Sequence, residues 1–143
     1  MTNQEMLSHI DHTQLKAFAT WGDIKMLCDE AVLYKTASVC IPSCYVKRVK
    51  DAYQDSLNIC TVVGFPLGYA NTEAKVAETK KAIEDGASEI DMVINISDVK
   101  NGLYDAVEEE IKTLKATCGD KILKVIIETC YLSKEEKIAM CKA

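Results

Sequence analysis

Five short apolar runs, centred near residues 10, 39, 61, 91 and 125, alternate with stretches whose apolar residues recur at helical spacing. Runs of this length, rich in Ile and Val, read as strands buried on both faces. Strands that alternate with helices make βα units, and βα units make a parallel sheet with right-handed crossovers. The length of 143 residues fits one domain. Two closures of such a sheet compete. A doubly wound sheet calls for a glycine-rich phosphate loop after the first strand. That position holds Gln14-Leu15-Lys16-Ala17-Phe18 instead. Polar residues lie within or at the ends of several strands: Asp11 and Thr13, Asp91 and Asn95, Lys124 and Glu128. Chemistry spread over several strand ends is the habit of a (β/α)8 barrel, which needs eight strands and about 250 residues. The expected fold class is therefore α/β, with parallel (β/α) repeats of the TIM-barrel type forming a partial barrel of about five strands. The expected domain is one partial barrel over residues 1–143, truncated in the helix after the fifth strand.

The expected elements follow in order. Residues 2–8 read as a helical lead-in, and His9 to Thr13 as the first strand. Thr20 can cap a helix with Asp23 in its first turn, and Ile24, Leu27, Cys28, Ala31 and Val32 follow at helical spacing. Thr36 to Ile41 is the second strand, stopped by Pro42, and Ser43 can cap the next helix, with Tyr45, Val46, Val49, Ala52 and Tyr53 on its apolar face. Asn58 to Val63 is the third strand, followed by the loop Gly64-Phe65-Pro66-Leu67-Gly68. Asn71 or Thr72 caps a helix that runs to Asp85 and closes at Gly86. The fourth strand is Ser88 to Ile96. One helix then spans Asp98 to Thr117, with Leu103, Val107, Ile111 and Leu114 on one face and Gly119 at its end. The fifth strand is Lys121 to Glu128, and Ser133 with Glu136 forms a capping box for a last helix.

Composition excludes several functions. Net charge is −5 with no basic block, which leaves no nucleic-acid footprint. No apolar run approaches the roughly 20 residues of a membrane helix. Met1 to Glu5 lacks the basic and apolar regions of a signal peptide, so a cytoplasmic protein without a membrane partner is expected. The seven cysteines are odd in number and include no C-x-x-C pair, so they read as small apolar residues rather than a disulfide framework. His9 and His12 flank Asp11 but have no further ligand cluster, and no metal is expected.

The fourth and fifth strands carry the anomalies. Asp91 and Asn95 interrupt an otherwise apolar run and share a face, being an even number of residues apart. A carboxylate inside such a strand is costly unless something pairs with it or uses it. In Ile122-Leu123-Lys124-Val125-Ile126, alternation puts Lys124 on the face with Ile122, Ile126 and Glu128, while Leu123, Val125 and Ile127 face the helices. Lys124 then points inward beside Asp91. The two either hold each other in charge states useful for proton transfer or form a structural salt bridge, and spacing does not choose between these. Glu128 reads equally as a ligand acceptor or as a solvated strand end.

Several segments carry a resemblance. Ile10-Asp11-His12-Thr13-Gln14-Leu15, Ala37-Ser38-Val39-Cys40-Ile41-Pro42 and Thr61-Val62-Val63-Gly64-Phe65-Pro66-Leu67-Gly68 resemble consecutive segments of the 2-deoxyribose-5-phosphate aldolase family. Lys75-Val76-Ala77-Glu78-Thr79 with Ala82-Ile83, Gly86 to Asn95, and Leu123 to Thr129 continue the match in order and spacing. The resemblance implies a class I aldolase on a (β/α)8 barrel. Such an enzyme cleaves 2-deoxyribose 5-phosphate reversibly to acetaldehyde and glyceraldehyde 3-phosphate through a lysine Schiff base, with no metal or cofactor. It implies that Asp91 is a proton-relay aspartate and Lys124 an active-site lysine. It implies that Asp11, Thr13 and Cys40 line the pocket, with Cys40 able to meet reactive aldehydes. Asn95 and Glu128 join the candidate pocket residues. The family's Schiff-base lysine lies on a sixth strand, a second catalytic lysine on a seventh, and its phosphate loops after strands seven and eight, so none has a counterpart in the five strands here. Three readings stay open: an aldolase seen in part, whose chain alone lacks standard activity; a self-associating half-barrel with weak amine catalysis through Lys124; and a non-enzymatic binding or assembly module. The expected partners are a phosphosugar or aldehyde and, because open sheet edges invite pairing, further copies of the chain.

Overall fold

The computed structural model describes residues 1–143. Its strands are β1 (Asp11–Thr13), β2 (Ser38–Ile41), β3 (Ile59–Val63), β4 (Glu89–Val93) and β5 (Ile122–Ile126). They are parallel and form one sheet in chain order, β1-β2-β3-β4-β5. The helices are α1 (Asn3–Leu7), α2 (Trp21–Tyr34), α3 (Ser43–Tyr53), α4 (Thr72–Glu84), α5 (Ile96–Lys100), α6 (Tyr104–Cys118) and α7 (Lys134–Met140). The alternation of strand and helix expected from the apolar runs is what the chain adopts.

Local chemistry sets most boundaries. Thr20 and Asp23 form the capping box of α2, and Ser133 and Glu136 that of α7, each pair satisfying two otherwise unpaired N–H groups. Ser43 does not cap α3. Pro42 occupies that position with its φ near −59°, and Ser43 is the first helical residue. The single helix expected over residues 98–117 is two. The chain breaks at Asn101-Gly102-Leu103, where Gly102 takes φ +73° and Leu103 N–H bonds back to the Asp98 carbonyl at 2.9 Å. Leu103 is accordingly exposed, whereas Val107 and Leu114 are buried. Val32, expected on the inward face of α2, is also exposed.

The chain divides into two compact units, Met1–Val62 with Ala82–Glu89, and Val63–Lys81 with Ile90–Ala143. In the first, every residue of β2 is buried, and Ile24, Leu27, Cys28 and Ala31 of α2 and Val46 and Val49 of α3 are buried too. In the second, Ile94, Val99, Val107, Leu132 and Met140 form a core against which Val125 and Ile127 pack. That packing confirms the strand alternation that turned Val125 and Ile127 toward the helices and Lys124 away from them.

Candidate active site

In the second unit, β4 places Asp91 between buried neighbours Ile90 and Met92, on the opposite pleat. Lys124 stands on β5. Its Nζ lies 3.1 Å from Asp91 Oδ1, and the side chains are 35% and 16% exposed. Asp91 Oδ1 is itself buried and makes no hydrogen bond, so the approach is an ionic contact outside hydrogen-bond geometry. The ammonium is a proton donor and the carboxylate a proton acceptor, and the two stand side by side. A carbonyl or hydroxyl brought beside this pair meets both a proton donor and a proton acceptor.

Two residues expected on the strands β4 and β5 lie just beyond them. Asn95 does not share the Asp91 strand face. β4 ends at Val93, and Asn95 is the N-cap of α5, its side-chain oxygen accepting from Ser97 N–H at 3.1 Å. Asn is among the strongest capping residues, and four unpaired N–H groups at a helix start compete well for it. Glu128 is not the end of β5 either. The strand stops at Ile126, and Glu128 takes the left-handed conformation, φ +51°, before a short 3-10 turn at Thr129–Tyr131. Its carboxylate accepts from Cys130 Sγ at 3.3 Å and pushes that thiol above its usual range.

In the first unit, Asp11, Thr13 and Cys40 gather on neighbouring strands, with Thr13 opposite Cys40 and Asp11 opposite Ser38. Asp11 Oδ1 accepts from Ser38 Oγ at 2.7 Å, and Thr13 Oγ1 donates to the Asp11 carbonyl at 2.8 Å. Cys40 is buried with Cys60 and Val62 against Leu15.

Sequence reasoning missed a second charged pair in the second unit. Lys75 of α4 is fully buried and bonds Glu110 of α6 at 2.8 Å. Lys75, Thr79 and Ala82 lie on one helical face and are all buried, but a face built from Lys and Thr gives no apolar periodicity. The loop after β3, Gly64 to Gly68, is more than a turn. It is tied to α4, with Gly64 N–H donating to Glu78 Oε2 at 2.9 Å, and residues 64–70 line a cavity of about 200 Å³.

Residues 6–140 match the model of the DeoC/LacD family aldolases. A deoxyribose-phosphate aldolase from Clostridium botulinum (strain Alaska E43 / Type E3) is 68% identical over all 143 residues, which span 65% of that relative's length. A crystal structure of a provisionally named deoxyribose-phosphate aldolase from Coccidioides immitis superposes with a TM-score of 0.95 at 38% identity, over 99% of this chain and 56% of that one. The deoxyribose phosphate aldolase of Aeropyrum pernix, a tetramer, superposes with a TM-score of 0.86 at 27% identity, over 99% of this chain and 60% of that one. The five βα units are thus of the TIM-barrel type, and the chain spans about two-thirds of the curated relative's length.

Proposed function

The chain belongs to the DeoC/LacD family of aldolases, and from that premise we propose that it serves the reversible aldol cleavage of 2-deoxyribose 5-phosphate to acetaldehyde and glyceraldehyde 3-phosphate. The observation that carries this reading is the contact between Asp91 and Lys124 on adjacent strands. Together the two supply the proton-handling half of the site: Lys124 as the ammonium donor, Asp91 as the acceptor. The Schiff-base amine of the reaction has no counterpart among residues 1–143 in the family resemblance, so an external amine stands in for it in the test. With methylamine and 2-deoxyribose 5-phosphate, the chain should release acetaldehyde faster than buffer and methylamine alone. Asp91→Asn and Lys124→Met should each lower that gain by about 10²-fold or to the blank. Equal release by the unchanged chain and both variants would overturn the reading.

A second reading, self-association, is favoured by β5. The strand lies at one end of the sheet order, and Ile122 on it is 53% exposed, whereas β2 and β3 are buried throughout. An apolar edge strand is a template for pairing. Light scattering should give a mass at least twice the 15.8 kDa of one chain; a monomer across the working concentration range would exclude it.

A further inference from the structure

The bulkiest fully buried side chain of the protein is a charged one, Lys75. Its ammonium donates to Glu110 Oε2 and to the Val93 carbonyl oxygen, both at 2.8 Å. Glu110 Oε1 accepts from Thr72 Oγ1 at 3.2 Å. The Lys75 stem lies against Gly64, where a Cβ would come within 2.9 Å of Lys75 Cε. Taking an ammonium and a carboxylate out of water is costly, and an apolar pair of similar volume often serves stability as well or better. The placement of the cation therefore calls for a reason beyond stability.

The reason lies in one peptide group. The Val93 carbonyl and the Ile94 N–H belong to the same peptide. The carbonyl receives the Lys75 ammonium, and the N–H donates to the Ile126 carbonyl of β5 at 3.2 Å. A charged donor at one end of a peptide polarises the other end and strengthens its bond. Val93 is two residues beyond Asp91, and Ile126 two beyond Lys124, so each is the same-face neighbour of a candidate site residue. Gly68 closes on the same spot, because a Cβ there would come within 1.9 Å of the Ile94 carbonyl oxygen.

We propose that Lys75 is a positioning residue: with Glu110 it holds the Val93–Ile94 peptide against β5 and so sets Asp91 beside Lys124. This rests on reading Asp91 and Lys124 as the proton-handling pair. Its test needs no substrate, so a failure of the aldolase reading and a failure of this proposal are separable.

The test is a double-mutant cycle read by NMR on the full chain labelled with ¹³C and ¹⁵N at lysine. Asp91→Asn displaces the Lys124 Cε and Nζ resonances in the otherwise unchanged chain. In Lys75→Met/Glu110→Gln the same substitution displaces them by less than about half as much. A folded Lys75→Met/Glu110→Gln chain with the full displacement overturns the proposal, since lower stability alone leaves the pair intact in folded molecules. No displacement in the otherwise unchanged chain overturns it too. If the double variant does not fold, Thr72→Val decides, because it removes only the hydroxyl that holds Glu110 Oε1. A displacement smaller than in the unchanged chain supports the proposal, and an equal one overturns it.

Discussion

Gly68 takes φ +73° and donates its N–H to the Gly64 carbonyl at 2.8 Å, so backbone conformation and space both require glycine there. Gly68→Ala should lower stability by more than about 3 kcal/mol, seen as a fall in the urea midpoint, because left-handed strain and a backbone clash act together. Lys75→Met alone should cost about 3–5 kcal/mol by leaving the Glu110 carboxylate buried without its cation. Lys75→Met/Glu110→Leu should cost less than Lys75→Met, and urea unfolding of the two side by side checks the order. Asp91 and Lys124 were visible in the sequence as charges in apolar strands, and strand alternation placed them correctly. Lys75 was not visible, because a lone lysine among Thr, Glu and Ala on a helix looks like a solvated face. Its burial comes from partners far along the chain: Glu110 of α6 stands 35 residues further on and Val93 of β4 18.

Among the elements, α7 depends on its first turn. Ser133 accepts from Glu136 N–H at 3.2 Å, and Ser133→Ala should cost about 1 kcal/mol of helix stability, measured by urea unfolding. The Lys100 ammonium, with the Ser133 N–H, holds the Glu136 carboxyl below the usual carboxylate range. A folded value lowered in this way contributes stability that is complete above the ordinary glutamate range and is lost as pH falls through the lowered value. The α7 backbone resonances should therefore keep their helical shifts into mildly acidic solution, and in Lys100→Met lose them at higher pH. A loss at the same pH in both would refute the link. The α7 and α2 boundaries were legible because capping boxes are local signals. The division between α5 and α6 was not. Val99, Val107, Ile111 and Leu114 keep to an apolar face on both sides of the break, and the periodicity hides it. Asn95 was misplaced for a related reason: an apolar run continues through Ile94 and Ile96 while the backbone has already turned into a helix.

For the whole molecule, the order of apolar runs carried the fold class, and the five parallel strands follow it. The pairing of far-apart side chains, which decides the site, was left to three dimensions. If β5 mediates self-association, Ile122→Lys should return the mass to that of one chain in light scattering, since a charge on an edge strand blocks pairing. No helix is long and apolar enough to cross a membrane. On the proposed reading, Asp91 beside Lys124 moves protons for aldol chemistry. The most direct test of that claim supplies the iminium from outside. Acetaldehyde and methylamine in deuterium oxide form an iminium whose methyl C–H gives up a proton to make the enamine, and deuterium returns to carbon. Proton NMR follows the loss of the methyl signal. The unchanged chain should speed this exchange over methylamine alone, and Asp91→Asn, folded, should lose about 10²-fold of the gain or all of it. Exchange equally fast with the unchanged chain and with Asp91→Asn, or no faster than with methylamine alone, would contradict the claim.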